Sequence, residues 1–242
     1  ICLLCGTLRA ELPYDKIYRV REKNRRLGLG VMGLHEWLIQ RGYAYNVTPE
    51  LHDWLGVYKR VSDATSVEYA EKLSVSRPVA NRSIAPTGTI GMLAGTTTGI
   101  EPIFAVAYKR RYLVDGTKWK HQYHVENIAQ EMIDLYGVDP DSIESATDLA
   151  SDYERRIKFQ ADVQDYVDMA ISSTINLPSY SSGSVDPRVF ANCLAKYAER
   201  LRGFTVYPDG ARGGQPLTGV SYKEAKKKLG TEFEESLEFN DV

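Results

Sequence analysis

Residues 82–94 read Arg-Ser-Ile-Ala-Pro-Thr-Gly-Thr-Ile-Gly-Met-Leu-Ala and combine the end of an apolar run with a turn and the start of a helix. The run that leads into the turn predicts a buried strand over residues 79–85. Pro86 stops strand pairing, and a proline just ahead of a helix is typical of a helix start. Thr87 suits the N-cap position of a helix that runs through Ala94.

The turn has the chemistry of a phosphate cradle. The first N–H groups of a helix have no partner within the helix, and the helix dipole makes that end positive. Gly88 would let an anion approach the backbone closely, while Thr87 and Thr89 each offer a hydroxyl. An ordinary threonine-capped turn has the same spacing, so spacing alone leaves both interpretations open. The turn is not a Walker loop, because no Gly-Lys-Ser/Thr follows it.

A second glycine-rich stretch, Gly28-Leu29-Gly30-Val31-Met32-Gly33, matches the spacing of a dinucleotide-binding loop. No clear strand precedes it, and no acidic ribose partner follows in a strand–helix–strand context. We therefore predict that these glycines allow close backbone packing and bind no cofactor.

Four blocks spread over most of the chain belong together. They are residues 24–33 (NRRLGLGVMG), 85–90 with 99–102 (APTGTI and GIEP), 171–178 (ISSTINLP) and 203–212 (GFTVYPDGAR). In this order they closely resemble the large subunits of ribonucleotide reductases, and the Pro-Thr-Gly-Thr form is most similar to the adenosylcobalamin-dependent class. Four ordered blocks are far more specific than any single one.

The resemblance implies an α/β fold. In this family the catalytic domain is a ten-stranded α/β barrel made of two half-barrels, with a central finger loop that carries the radical cysteine. The chain resembles the C-terminal half-barrel, which we expect to occupy residues 1–220, with residues 221–242 as a partly disordered tail. Strands are predicted near 79–85, 104–112, 174–177 and 203–207, and because helices separate most of them, we expect parallel pairing.

The resemblance also implies a role in converting ribonucleotides to 2′-deoxyribonucleotides. It assigns the substrate di- or triphosphate to Ala85, Pro86, Thr87, Gly88, Thr89 and Ile90. The Asn-x-Cys-x-Glu motif of the finger loop does not occur in the sequence. We therefore expect the radical cysteine on a missing N-terminal part or a complementary chain, and we expect this chain to be inactive alone. A thiol reductant such as thioredoxin would complete the reaction.

A single tyrosine distinguishes between the classes of this family. Iron-dependent members carry two adjacent tyrosines on the last barrel strand, whereas this sequence has Thr205-Val206-Tyr207. The resemblance therefore favours adenosylcobalamin as cofactor. The alternatives are a fragment that works with a diiron-tyrosyl radical partner, or a non-catalytic nucleotide-binding module derived from a reductase. Tyr207 is a candidate catalytic residue, and packing within the barrel is the competing interpretation.

Composition narrows the cellular setting. The 242 residues are 43% hydrophobic and 26% charged, with a net charge of −2, so the chain has no general attraction to nucleic acid or to anionic membranes. No apolar run approaches the roughly 20 residues that a membrane span needs. The expected location is the cytoplasm, with neither nucleic acid nor membrane as partner.

The first residues contain a Cys-x-x-C motif, Cys2 to Cys5, within an apolar run. A zinc site would need two further ligands, and the four histidines show no ligand spacing, so no metal site is predicted. We expect two buried thiols on a strand. Ile1 stands where an initiator methionine would, so we also expect that further residues precede this sequence or were removed from it.

Helices are predicted from apolar residues at three- and four-residue steps and from capping residues. The predicted ranges are residues 14–26, 34–41, 48–73, 125–136, 153–173 and 187–200. Cys193, on the last of these, is expected in the core.

Overall fold

The computed structural model describes residues 1–114, 118–210 and 216–235. The helices are α1 Cys2–Arg9, α2 Asp15–Asn24, α3 Leu34–Gln40, α4 Pro49–Lys72, α5 Gly88–Ala94, α6 Asn127–Tyr136, α7 Ala146–Leu149, α8 Tyr153–Gln164, α9 Pro187–Tyr197 and α10 Tyr222–Lys228. The strands are β1 Ala107–Val114, β2 Lys118–Val125, β3 Thr174–Leu177, β4 Thr205–Pro208, β5 Leu217–Gly219 and β6 Glu232–Glu235.

A parallel array forms the centre of the molecule. β3 pairs with β4 in parallel, from Thr174 opposite Thr205 to Leu177 opposite Pro208. Two isolated parallel bridges extend this arrangement, one between Ile84 and Ile171 and one between Leu29 and Arg82. The parallel pairing predicted for the last two strands is therefore confirmed. The predicted strand 79–85 is present only as these two bridges, and within the described residues the array stays open.

A separate four-stranded sheet has the order β5-β1-β2-β6, and its neighbouring strands are antiparallel. The predicted parallel strand over 104–112 is therefore wrong in direction, and β1 starts only at Ala107. β1 and β2 are consecutive strands with a short connection, and such strands can pair only as an antiparallel hairpin. The connecting residues 115–117 lie outside the described residues.

The main core lies between α3, α4, α8 and the parallel array. Leu38, Ile100, Leu149 and Val163 are fully buried in it. α8 ends at Gln164, nine residues before the predicted end. The Gln164 side-chain amide donates hydrogen bonds to the carbonyl oxygens of Val167 (2.7 Å) and Met169 (2.8 Å). These bonds stabilise the turn that carries the chain from α8 into the parallel array.

Several predicted helix ends are confirmed. Thr48 caps α4 by accepting a hydrogen bond from the Leu51 amide at 3.2 Å, and Pro49 occupies the first helical position. α6 ends at Gly137, whose φ of 65° suits a glycine after a helix. Cys193 is buried on α9, as expected. None of the described helices is long and apolar enough to cross a membrane.

The N-terminal prediction is wrong. Residues 2–9 form helix α1, and both Cys2 and Cys5 are exposed. Leu4 is the residue that anchors this helix, because it packs with Leu27 and Ala70. Leucine and cysteine in a short apolar run are compatible with helix or strand, and the contact with α4 selects the helix.

Beyond residue 220 the chain continues as α10 and β6. Ser221 caps α10 by accepting a hydrogen bond from the Glu224 amide at 3.2 Å. Ala225 is fully buried against Ala107 and Tyr123 of the hairpin. Residues 236–242 lie outside the described residues, so a domain boundary at residue 220 and a partly disordered end remain predictions.

The glycine-rich block serves close packing. A Cβ on Gly30 would lie 2.6 Å from the carbonyl oxygen of Ser83, in the neighbouring strand segment. Gly33 has a φ of 78°, and a Cβ there would lie 2.6 Å from Oγ1 of Thr96. The predicted close packing is therefore confirmed at Gly30 and Gly33.

Gly30→Ala is expected to destabilise the protein by about 1–3 kcal/mol, because the added methyl group must displace backbone of the parallel array. Gly56→Ala is the matched control. Gly56 lies within α4 with open space around its Cβ, so alanine there should stabilise by up to about 1 kcal/mol. Urea denaturation of both variants measures the difference, and equal midpoints would contradict the packing role of Gly30.

Candidate functional site

The predicted phosphate turn follows directly after the parallel array. Ile84 bridges to Ile171, and residues 85–87 then connect it to α5. The turn therefore lies at the carboxyl ends of the parallel segments, where open α/β sheets bind ligands. Ala85, Pro86, Gly88, Thr89 and Ile90 are exposed and Thr87 is half-buried.

Thr87 occupies the N-cap position of α5, but its side chain does not cap that helix. Its backbone is left-handed, with a φ of 50°, which is unfavourable for a β-branched residue. The Thr87 hydroxyl accepts a hydrogen bond from the Gly99 amide at 2.9 Å and so closes the base of the loop. The predicted N-cap position of Thr87 is confirmed. The prediction that its side chain caps the helix is wrong.

The first turn of α5 therefore presents amide groups that no capping side chain occupies. The N–H groups of Gly88, Thr89 and Ile90 are the first three of the helix and have no acceptor within it. Apart from the residues next to Gly88 and the backbone of α5 itself, no described atom lies within 4 Å of the position of a Cβ on Gly88. A ligand has free access to the backbone at this residue.

The end of α5 is held by the segment that follows it. Oγ1 of Thr96 donates a short hydrogen bond to the carboxylate of Glu36 on α3. Oγ1 of Thr97 accepts a hydrogen bond at 3.3 Å from the Glu36 amide in the first turn of α3, so the same segment caps α3. A Cβ on Gly91 would lie 2.9 Å from Cγ2 of Thr98, which leaves glycine as the residue that fits there.

A cleft of about 510 Å³ opens beside the loop. Its wall includes Gly88, Thr98, Glu101, Thr174 and Asn176. This volume is in the range of small-molecule binding sites. The cleft therefore extends from the start of α5 at Gly88 to Thr174 and Asn176 on β3.

Glu101 is fixed within this wall by a buried network. Its carboxylate contacts the Arg156 guanidinium at 2.7 Å and accepts a hydrogen bond from the Thr174 amide at 2.7 Å. Arg156 is 1% exposed and also donates to the Thr174 carbonyl at 2.8 Å and to the Tyr45 hydroxyl. The Tyr45 hydroxyl in turn donates to the carbonyl of Ile100. Glu101 is thus an anchoring acceptor that fastens β3 to the segment after the loop.

Burial dominates the ionisation of this network. Desolvation raises the pKa of Glu101, and the nearby Arg156 guanidinium opposes that shift. Desolvation likewise raises the pKa of Tyr45, which keeps its hydroxyl protonated and able to donate. Desolvation and the charge of Arg156 lower the pKa of His35 to about 3. A neutral His35 can accept a hydrogen bond from the Ile103 amide through Nδ1, at 2.9 Å.

Stability is expected to fall on acidification because of His35. The unfolded chain protonates this imidazole below about pH 6.5, whereas the folded state resists protonation down to about pH 3. This one group should lower the free energy of unfolding by about 1 kcal/mol between pH 7 and pH 5.5. Urea denaturation at the two pH values measures the loss, and His35→Gln should reduce it. The same exchange at the exposed His52 is the control, and an equal effect of both variants would contradict this account.

Tyr207 lies in a neighbouring cleft of about 200 Å³. It stands opposite Asn176 in the pairing of β3 and β4, and both residues line this second cleft. Phe104, Ala146 and Asn176 line both clefts, so the two adjoin. The structure thus places Tyr207 in a cleft that adjoins the cleft of about 510 Å³ beside the loop, and Asn176 lines both clefts. Of the block 203–212, residues 211 and 212 lie outside the described residues.

Sequence reasoning did not single out Arg156, Glu36 or Asn176. Arg156 lies 55 residues from its partner Glu101 in the chain, and Glu36 lies 60 residues from its partner Thr96. Such contacts leave no local pattern. Across the three described ranges, no group of three or more His, Cys, Asp or Glu side chains could hold a metal ion.

Comparison with known proteins defines the class. The model of the ribonucleotide reductase barrel domain matches residues 76–207, which include the loop, the cleft-lining part of β3 and β4. The chain therefore belongs to the ribonucleotide reductase barrel-domain family.

The relatives specify this further. The chain is 31% identical to the vitamin B12-dependent ribonucleoside-diphosphate reductase of Mycobacterium tuberculosis (strain CDC 1551 / Oshkosh), over 91% of this chain and 36% of that protein. It is 27% identical to the enzyme of the same name from Thermoplasma acidophilum, over 90% of this chain and 32% of that protein. The chain thus spans about a third of the length of these relatives.

Solved structures agree on the fold. A B12-dependent (class II) ribonucleotide reductase superposes with a TM-score of 0.67 at 18% identity, over 89% of this chain and 35% of the other. The alpha subunit of a class Id ribonucleotide reductase from Actinobacillus ureae gives 0.58 at 18% identity, over 84% and 43%. Both likenesses concern the fold alone.

Proposed function

We propose that this chain is the part of a ribonucleotide reductase that holds the phosphates of a ribonucleoside di- or triphosphate. The observation that carries the proposal is the exposed turn Ala85–Ile90, with open amides at the start of α5, at the carboxyl ends of the parallel segments. Fixing the phosphates would orient the ribose toward a thiyl radical supplied from elsewhere. This is a contribution through positioning.

The chain would form the C-terminal half of the ten-stranded barrel, completed by an N-terminal segment or chain that carries the finger-loop cysteine. The edge at residues 27–30 supports this. Leu27 and Leu29 donate their amides to the segment of residues 80–81, at 2.9 and 3.0 Å. In a parallel strand the alternate residues, Gly28 and Gly30, direct their main-chain groups to the opposite side. An apolar groove of about 540 Å³ runs beside this edge, and open edges of this kind call for a partner.

We propose adenosylcobalamin as the cofactor of the complete enzyme, in line with the names of the relatives. When bound, this group supplies the radical by cleavage of its cobalt–carbon bond. Neither described cleft beside the loop, at about 510 and 200 Å³, could enclose a corrin ring with its side chains. These two clefts do not by themselves form its site, and the phosphate-holding role does not depend on it. A thioredoxin-type reductant and a cytoplasmic location belong to the same proposal.

The test is reconstitution of activity. The chain is combined with the N-terminal reductase segment that carries the finger loop, and reduction of CDP and CTP is assayed with adenosylcobalamin. Turnover that requires both parts is the expected result. Turnover with a diiron-tyrosyl radical partner in place of cobalamin would support the iron-dependent alternative. Nucleotide binding without any turnover would support a non-catalytic module.

A further inference from the structure

Asn176 is the polar side chain at the place where the two clefts adjoin. We propose that its amide binds the nucleoside portion of the nucleotide whose phosphates lie on Ala85–Ile90. This inference rests on the function proposed above and extends it from the phosphates to the ribose and base. Asn176 would then contribute to substrate affinity and selection.

The position of Asn176 is rigid. It lies on β3 two residues after Thr174, whose amide is bound by Glu101 and whose carbonyl is bound by the buried Arg156. On its other side β3 pairs with β4, and Asn176 stands opposite Tyr207. A binding side chain is most effective when a fixed strand of this kind holds it.

The direction of Asn176 follows from strand alternation. Ile175 is 0% exposed and Leu177 is 6% exposed, and both pack in the core with α8 and α9. Thr174 and Asn176 therefore face the other way, and both line the cleft that Gly88 also lines. One ligand in this cleft can reach the start of α5 and Asn176 together.

The amide of Asn176 is available for a ligand. Its side chain forms no hydrogen bond with any residue that the structure describes, although a side-chain amide offers two donors and an acceptor. Hydroxyl groups of ribose and the edges of bases are complementary to such a group. Phe104 lines the same two clefts and adds an aromatic surface.

Charge also favours this arrangement. The open amides at Gly88 form the positive start of a helix, which favours a phosphate group there. The Glu101 carboxylate in the same wall is paired with Arg156, and the Asn176 side chain is uncharged. Asn176 therefore suits the uncharged nucleoside rather than the phosphates.

The experiment compares two ligands on the wild-type chain, on Asn176→Ala and on Asn192→Ala. The ligands are CTP and inorganic tripolyphosphate, and isothermal titration gives their dissociation constants. Asn176→Ala should raise the Kd of CTP about tenfold and leave the Kd of tripolyphosphate unchanged. Asn192, exposed on α9, is the matched control and should change neither.

A urea denaturation midpoint for Asn176→Ala accompanies the titration and should equal that of the wild type. Loss of affinity for both ligands together with a lower midpoint would mean a structural role and would overturn the inference. An unchanged Kd of CTP in Asn176→Ala would also overturn the inference. If tripolyphosphate still bound in that case, the proposed phosphate loop would stand without it. If wild-type chain bound neither ligand, the proposed function itself would fail, and this inference with it.

A further comparison locates the contact. Equal losses of affinity for CTP and ATP in Asn176→Ala would place it on the ribose. Unequal losses would place it on the base. Either result supports the assignment to the nucleoside portion.

Discussion

Gly88→Val is expected to weaken nucleotide binding at least tenfold without destabilising the fold. Outside the backbone of α5 and the residues next to Gly88, no described atom lies within 4 Å of a Cβ at this position, so the valine side chain has room. It would stand where a phosphate must approach the first amides of α5, and it would force the anion away from them. In the reconstituted enzyme the KM for the ribonucleotide should rise, with a smaller change in kcat.

The control for this prediction is Gly56→Val. Gly56 also has open space around its Cβ but lies within α4, far along the chain from the loop. Valine there should leave the Kd of nucleotides unchanged. If Gly88→Val bound CTP as tightly as the wild type, the loop would not hold the phosphates.

Arg156→Met is expected to destabilise the protein by about 3–5 kcal/mol. Arg156 is 1% exposed and is shared by Glu101, Tyr45 and the Thr174 carbonyl. Methionine would leave the Glu101 carboxylate and the carbonyl without their cation in a desolvated place. Since small domains are stable by only about 5–15 kcal/mol, this loss is a large fraction of the free energy of unfolding.

The double variant Arg156→Met with Glu101→Gln should regain part of this loss, because the unpaired charge is removed as well. Arg188→Met, at an exposed position on α9, is the control and should change the free energy of unfolding by less than about 0.5 kcal/mol. Urea denaturation measures all three. A loss as small as that of the control would show that the network does not hold β3.

The parts of the fold that depend on local chemistry were predictable from the sequence. Thr48 and Pro49 specify the start of α4, and Gly137 specifies the end of α6. The apolar alternation of residues 174–177 specifies β3. In each case the deciding contact lies within one turn of the helix or within the strand itself.

The parts that depend on distant contacts were not predictable. The hydroxyl of Thr87 binds the amide of Gly99, and this contact holds the threonine in a left-handed backbone that its own side chain disfavours. Gln164 ends α8 through carbonyls of the following turn, which the helical pattern does not reveal. The local sequence of residues 2–9 is compatible with a helix or a strand. The packing of Leu4 against α4 selects the helix, and in this helix Cys2 and Cys5 are exposed.

The candidate site divides in the same way. The motif of residues 85–90 located the loop, because glycine and threonine at a helix start have a direct chemical meaning. Glu101 belongs to the block of residues 99–102, but its partner Arg156 lies 55 residues further along the chain, so its anchoring role has no local signal. Asn176 has no pattern of its own, and only the folded strand reveals that it faces the cleft.

The most direct test of the central claim is to map nucleotide binding on the backbone amides. The measurement is a ¹⁵N-edited NMR titration of the labelled chain with CTP and with tripolyphosphate. Both ligands should shift the amide resonances of Gly88, Thr89 and Ile90 most strongly. For each ligand, the three shifts should saturate at the same ligand concentration. Saturable binding that shifts other amides and leaves these three unchanged would contradict the assignment of the phosphates to this loop.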